Sequence, residues 1–282
     1  RKNLSVLPVV ISALYPKSGF NFEPFYELYK ERYPNKPLPS KNLLEWFIGF
    51  REGDGSFTLT TRGIPIFVIS QSTLDIQVLN TIKEVFGFGN VMKQGTTTSR
   101  YVVKDMANLE LLILLFNGNL VFPLKQSSFA LFLEAFNKRA KEVIIPFNPK
   151  LVIPTLHDHW LAGITDAEGC FTCSLLGNSN AYRFRFLLRQ LGLINQPILV
   201  HIRSLLLGVV RPHSKLNTFE LTVNGVNNMT KVLEYFDSHE LRTKKAKSYS
   251  IWKEVRDSLI KGEHLSPDSR RLLKIKAKTI NK

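Results

Sequence analysis

Trp46-Phe47-Ile48-Gly49-Phe50-Arg51-Glu52-Gly53-Asp54-Gly55-Ser56-Phe57 returns later in the chain as Trp160-Leu161-Ala162-Gly163-Ile164-Thr165-Asp166-Ala167-Glu168-Gly169-Cys170-Phe171. Further landmarks recur in the same order at nearly the same interval. Gln71 and Gln190 each end an aromatic-rich run, Gly89 and Gly208 each follow an apolar stretch, and Lys125 and Lys245 each precede an aromatic by four residues. Landmarks repeated in one order mark a duplicated module. Two copies are too few for a solenoid.

Each copy reads as helix, two strands, helix, two strands, helix, an α+β arrangement of two αββαββα modules. In the first copy Ser40 is expected to cap a helix that runs to about Asp54. Positions 57–62 and 66–71 alternate like strands around Gly63-Ile64-Pro65. Residues 75–86 carry Ile76, Leu79, Ile82 and Val85 at helical spacing. A second hairpin is expected over 91–94 and 100–104, and helices over 108–116 and 126–138. In the second copy Thr155 and Asp158 have the spacing of a capping box. The organisation expected is an N-terminal extension over 1–37, a first module over 38–141, a linker over 142–154 stiffened by Pro146, Pro149 and Pro154, and a second module with a basic tail over 155–282.

The chain has 282 residues, 44% of them hydrophobic, enough for two cored units. Its 38 basic residues outnumber 23 acidic ones, a net charge of +15 that favours a polyanion, nucleic acid before an anionic membrane. Over 239–282 alone, thirteen basic residues face five acidic ones, which suits backbone contacts to a polyanion or a solvated helix face. Cys170 and Cys173 are the two cysteines. A zinc site needs a second ligand pair that the sequence lacks, and strand alternation places the two thiols on opposite faces, so ordinary thiols are expected. No apolar run reaches membrane-spanning length, and residues 4–14, though apolar, are broken by Pro8 and do not read as a secretory signal.

Small residues in mid-motif, Gly49 in one copy and Ala162 with Gly163 in the other, let two helix backbones approach closely. Asp54 and Glu168 then fall at helix C-termini, where the dipole already disfavours negative charge. One such acid alone would be a solvated helix end. A pair at equivalent places in a duplicated basic chain is better explained by divalent cations with hard oxygen ligands, Mg²⁺ above all. Mg²⁺ held by so few carboxylates takes its other ligands from phosphate and water, the arrangement of a phosphodiester hydrolysis site.

Residues 47–55 and 161–169 resemble the two motifs of single-chain LAGLIDADG homing endonucleases, and the resemblance extends over about 40–282. It implies motif helices packed at the module interface and antiparallel sheets forming a DNA-binding saddle. It implies a metal-dependent DNA endonuclease that cuts both strands of a long target and leaves short 3′ overhangs. Asp54 and Glu168 would bind metal, with the Gly53 and Ala167 positions beside them. Glu52 and Asp166 match an acidic position that is mainly structural, and Lys125 and Lys245 match lysines that order water around the scissile phosphates. Mg²⁺ is the expected cofactor, Ca²⁺ a substitute that does not support cleavage, and Mn²⁺ an alternative. A monomer acting on double-stranded DNA, without a membrane partner, in the mitochondrion or a chloroplast follows from the same likeness. Arg51 departs from the motif pattern and is expected to face solvent or DNA.

Strand alternation nominates the DNA-reading residues. After Asp54 these are Ser56, Thr58, Thr60 and Arg62, with Val68 and Ser70 on the next strand. After Glu168 they are Thr172 and Ser174. Arg183, Arg185 and Arg189 alternate with Phe184, Phe186 and Leu188, so a basic face is backed by a core face. Arg100, Lys104, Arg211, His213 and Lys215 follow the same logic, and arginine can bond guanine bidentately in the major groove. Any one of them is otherwise a solvated surface charge. The main rival is an intron RNA maturase of the same fold, with the chain's own intron RNA as partner. A DNA-binding regulator on a relic fold is a second rival. Both would have no use for the two acids.

Overall fold

The computed structural model describes residues 19–140, 144–177 and 179–282. The apolar stretch 4–14 and the first 18 residues of the N-terminal extension lie outside the described residues. Packing divides the chain into two compact units, Arg1–Ala167 and Glu168–Lys282.

In the first unit, helix α1 (Glu23–Arg32) precedes the motif helix α2 (Lys41–Asp54), then β1 (Gly55–Leu59), β2 (Pro65–Ser72), α3 (Ile76–Phe86), β3 (Asn90–Gln94), β4 (Thr98–Val103), α4 (Met106–Phe116) and α5 (Pro123–Asn137). Its antiparallel sheet has the order β1-β2-β4-β3. The second motif helix, α6 (Trp160–Glu168), crosses the division between the units. In the second unit β5 (Gly169–Leu175), β6 (Tyr182–Leu191), α7 (Gln196–Leu206), β7 (Val209–Pro212), β8 (Thr218–Asn224), α8 (Thr230–Ser238) and α9 (Lys245–Ile260) repeat the first, with sheet order β5-β6-β8-β7. An added helix, α10 (Pro267–Ala277), follows. Among the described residues no helix is long and apolar enough to cross a membrane.

The phenylalanine that closes each motif is the hub of its unit's core. Phe57 lies 5.6 Å from Phe67, 5.2 Å from Phe116, 5.0 Å from Phe129 and 4.8 Å from Phe132, ring to ring. Phe171 lies 5.4 Å from both Phe186 and Phe236, 5.2 Å from Tyr249 and 5.1 Å from Trp252. Burying each such ring stabilises the fold by about 1.5–3 kcal/mol. The buried stripe of α3 is Val78, Leu79, Ile82 and Phe86, one step round from the expected one.

Two local expectations are corrected. The first strand ends at Leu59, and Thr60–Gly63 form a turn closed by the Gly63 amide on the Thr60 carbonyl. Thr155 is not the cap residue of α6: its amide and hydroxyl both donate to Asp158 Oδ2, and Asp158 Oδ1 accepts from the amide of Trp160. The described part of the N-terminal extension packs into the first unit through α1. Phe25 and Tyr29 of α1 are fully buried, and the Tyr29 hydroxyl donates to the carbonyl of Phe86 at 3.1 Å. The proline-rich linker is pinned to the first unit, with the Val152 amide on the Leu120 carbonyl at 2.8 Å and Gln126 Nε2 on the Pro149 carbonyl at 2.7 Å. In the basic tail, Arg270 donates to the carbonyls of Leu176 and Ser179, each at 2.7 Å, and of Ala181 at 3.0 Å, which fixes the β5–β6 turn.

Candidate functional site

Ser40 caps α2 by accepting from the Leu43 amide at 3.2 Å, as the sequence led us to expect. Against α2 lies the part of α6 that belongs to the same unit. A Cβ on Gly49 would collide with the Trp160 carbonyl oxygen, and one on Gly163 with the Trp46 carbonyl oxygen, so the glycines set the approach of the two backbones. Two reciprocal bonds lock the pair: Trp46 Nε1 donates to Asp166 Oδ2 at 2.8 Å, and Trp160 Nε1 to Glu52 Oε2 at 2.7 Å. The other oxygen of Glu52 accepts from the amides of Val121 at 3.0 Å and Phe122 at 2.8 Å, which ties the start of α5 to the motif. Glu52 and Asp166 are therefore structural acids. Burial pushes the Glu52 carboxyl pKa up, opposed by its three hydrogen bonds and by Arg51.

Arg51 does not face solvent. It is 1% exposed, and its guanidinium carbon sits 3.6 Å above the Phe57 ring and 5.4 Å from that of Phe116. It lies on the helix face that covers the unit's own aromatic core. Among the described residues its Nε and Nη1 have no hydrogen-bond partner, and desolvation lowers its pKa to about 9, with Glu52 opposing.

Asp54 and Glu168 are the last residues of their helices, and the next residue in each case opens a strand. Each accepts a hydrogen bond from a glutamine of its own unit: Gln71 Nε2 donates to Asp54 Oδ2, and Gln190 Nε2 to Glu168 Oε2 at 2.5 Å. These glutamines were not among the expected site residues. Their signal was present, since both are landmarks of the repeat. Lys125 is the third residue of α5 and half-buried. Lys245 opens α9, with its amide on Thr243 Oγ1 at 3.2 Å. Lys245 comes near the second acid's strand. Burial raises the pKa of the Cys170 thiol, two residues after Glu168, and the charges of Lys245, Arg189 and Arg185 oppose that rise. Cys170 and Cys173 are free thiols on one strand.

Strand register sorts the remaining candidates. On the first sheet, Ser56, Val68 and Val102 align across three strands, as do Ser70, Arg100 and Met92, all on the face opposite Phe57, Phe67 and Tyr101. Lys104 is exposed just beyond β4. Thr60 and Arg62 lie in the turn after β1 and leave the strand face; the Arg62 carbonyl accepts from Arg139 Nη2. On the second sheet, Thr172 aligns with Arg185 and Asn224, Ser174 with Arg183, and Arg189 with Glu220 and Arg211. Phe184, Phe186 and Leu188 face the core, as alternation requires. A hollow of about 590 Å³ on the arginine face is lined by Arg183, Arg185, Arg211, Glu220, Thr222 and Asn224, among others. His213 and Lys215 lie in the β7–β8 turn, where His213 Nδ1 accepts from the Lys215 amide at 3.0 Å. Glu220 was not foreseen; it accepts from Arg189 Nε at 2.5 Å.

A duplicated αββαββα module, with paired glycine-bearing helices that each end on an acid, defines the class of protein. The chain matches the LAGLIDADG endonuclease family over residues 47–136 and 161–256, and it belongs to that family. It is 37% identical over 243 residues to the probable intron-encoded endonuclease 4 of Neurospora crassa, covering 84% of this chain and 44% of that protein. It is 31% identical over 143 residues to the intron-encoded DNA endonuclease ai2a of Dictyostelium discoideum, covering 50% of this chain and 42% of that one. The chain thus spans less than half the length of these two relatives. The fold matches that of I-SmaMI bound to an uncleaved DNA target in the presence of calcium ions, with a TM-score of 0.71 and 19% identity over 85% of this chain and 99% of that one. It also matches the LAGLIDADG homing endonuclease I-GzeII in complex with its DNA target, with a TM-score of 0.72 and 20% identity over 84% and 98%.

Proposed function

We propose that this chain is a site-specific DNA endonuclease that hydrolyses phosphodiesters on both strands of a duplex with divalent metal ions and leaves short 3′ overhangs. The observation that carries the proposal is the repeated pair of Gln71 on Asp54 and Gln190 on Glu168, an acid at a helix end steadied by an amide. A helix C-terminus repels a carboxylate, so two such acids serve something other than stability.

The donor set fits a hard cation. Among the described residues no three His, Cys, Asp or Glu side chains gather around one point, so a cation at either acid would draw its remaining ligands from phosphate and water. Asp54 and Glu168, with the backbone at Gly53 and Ala167, would hold Mg²⁺, or Ca²⁺ without cleavage, or Mn²⁺. A bound ion would stabilise the charge that builds on the phosphate and lower the pKa of a bound water. Gln71 and Gln190 keep each acid oriented. Lys245, and Lys125 in the first unit, would supply positive charge and order water. Ser56, Thr58, Val68, Ser70, Arg100 and Lys104 would contact DNA from the first sheet. Thr172, Ser174, Arg183, Arg185, Arg189, Arg211, His213 and Lys215 would do so from the second. Phosphate contacts would position the protein and base contacts would select the site.

The same proposal includes action as a monomer and a mitochondrial setting, which relatives named for cox1 and ND4 introns support. It also keeps the four-part organisation of extension, module, linker and module. The test is incubation of the chain with a plasmid library of candidate insertion sites, with Mg²⁺ or with EDTA. Recovery of one linearised sequence with Mg²⁺ alone supports the proposal. No cleavage, together with tight binding to intron RNA, would favour the maturase reading.

A further inference from the structure

One carboxylate stands in the arginine face of the second sheet. Glu220 of β8 lies opposite Arg189 of β6 on one side and Arg211 of β7 on the other. Its Oε2 accepts from Arg189 Nε at 2.5 Å, and its Oε1 accepts from Thr222 Oγ1 at 3.2 Å. Both carboxylate oxygens are thereby oriented. The Glu220 side chain is 19% exposed and that of Arg189 51%, so the acid is the floor of the pair and the guanidinium its outer end. Among the described residues, Arg183, Arg185 and Arg211 share the face without a carboxylate partner.

An acid in a surface meant for a polyanion works against phosphate binding, so its place among four arginines needs a reason. Guanidinium chemistry supplies one. A carboxylate on Nε leaves the terminal Nη1 and Nη2 edge available to donate. That edge donates two parallel hydrogen bonds, the pattern that matches O6 and N7 of guanine in the major groove. A fork held by a neighbour also loses less rotamer freedom on binding. The negative charge beneath it disfavours a phosphate oxygen at the same place.

We propose that Glu220 is a positioning residue that dedicates Arg189 to one guanine, making that base pair the most sharply selected of those contacted by the second sheet. The proposal rests on the DNA-reading function argued above. Arg183, Arg185 and Arg211, lacking such a partner, are left freer to serve phosphates or several bases.

The test is selection of bound duplexes from a randomised pool by the full chain with Ca²⁺ present. Wild type is compared with Arg189→Ala, Glu220→Ala, Glu220→Gln, Thr222→Val and the Arg189→Ala/Glu220→Ala double variant. Arg189→Ala should lose its guanine preference at one base pair by roughly 5- to 150-fold, the worth of one bidentate contact. Glu220→Ala should relax that same base pair and leave the others as in wild type. The double variant should be no more relaxed there than Arg189→Ala alone. Glu220→Gln, nearly isosteric, and Thr222→Val should fall between wild type and Glu220→Ala. A Glu220→Gln variant that melts with wild type and keeps the wild-type profile overturns the proposal. So does relaxation at a base pair other than the one set by Arg189, which would mean that Glu220 reads a base itself. A wild-type chain that binds duplexes without selecting any sequence overturns the DNA-reading function first, and this assignment with it.

Discussion

Gln190 donates through Nε2 to Oε2 of Glu168 at 2.5 Å, and Gln71 makes the equivalent bond to Asp54 in the other module. A neutral donor holds the carboxylate in one orientation without competing as a charge. Groups that orient a metal ligand typically contribute 10- to 100-fold in metal affinity or activity. Gln190→Ala should therefore slow double-strand cleavage by about that factor, most of all at limiting Mg²⁺, while duplex binding stays within a few-fold. Single-turnover cleavage across a Mg²⁺ titration measures this. An unchanged Mg²⁺ dependence would remove Gln190 from the site.

The reciprocal indole–carboxylate bonds make a stability prediction. Trp160→Phe leaves the ring volume nearly filled but strips Glu52 Oε2 of its donor in a fully buried place. The cost should be about 1–3 kcal/mol, the desolvation of one unsatisfied buried acceptor. Trp46→Phe should behave alike through Asp166. Gly163→Ala should be worse than either, since its methyl meets backbone that cannot move aside. Urea denaturation of the four proteins ranks them.

Arg51 gives a prediction of the opposite sign. A buried cation with unmet donors destabilises the native state, and its cation–π contact offsets only part of the cost. Arg51→Met should raise stability at neutral pH by about 1–4 kcal/mol. The sign with pH follows from linkage. The folded-state pKa, about 9, lies below that of the unfolded chain, so the unfolded state binds more protons between about 9 and the ordinary arginine value. The wild-type penalty is complete below pH 9 and is relieved as pH rises through it. The advantage of Arg51→Met should therefore shrink between pH 8 and pH 10. A loss of stability at neutral pH would show that the stacking on Phe57 outweighs desolvation.

The sequence made the skeleton of this site legible because duplication supplied a built-in comparison. Asp54, Glu168, Gly49 and Gly163 could be aligned against each other, and the alternation around Arg183, Arg185 and Arg189 carried over into the sheet. Side-chain partnerships were less legible. Gln71 and Gln190 registered as landmarks, but nothing in one dimension says that an amide reaches an acid at a helix end. Arg51 was misread because a charge usually marks an exposed helix face, and here an aromatic cluster encloses it. The first strand was drawn too long because alternation was extended past a turn begun at Thr60. The packing of α1 was invisible, since its buried Phe25 and Tyr29 answer to α3, far along the chain.

The central claim is that Asp54 and Glu168 serve metal-dependent cleavage rather than binding or folding. Once a cleaved target has been recovered from the library, wild type, Asp54→Asn and Glu168→Gln can be compared on that one duplex for binding, and for cutting with Mg²⁺ or with EDTA. The account predicts that wild type cuts both strands with Mg²⁺ and neither with EDTA, and that Glu168→Gln and Asp54→Asn each bind within a few-fold of wild type without making the double-strand break. Mg²⁺-dependent cutting of both strands by Glu168→Gln would contradict it.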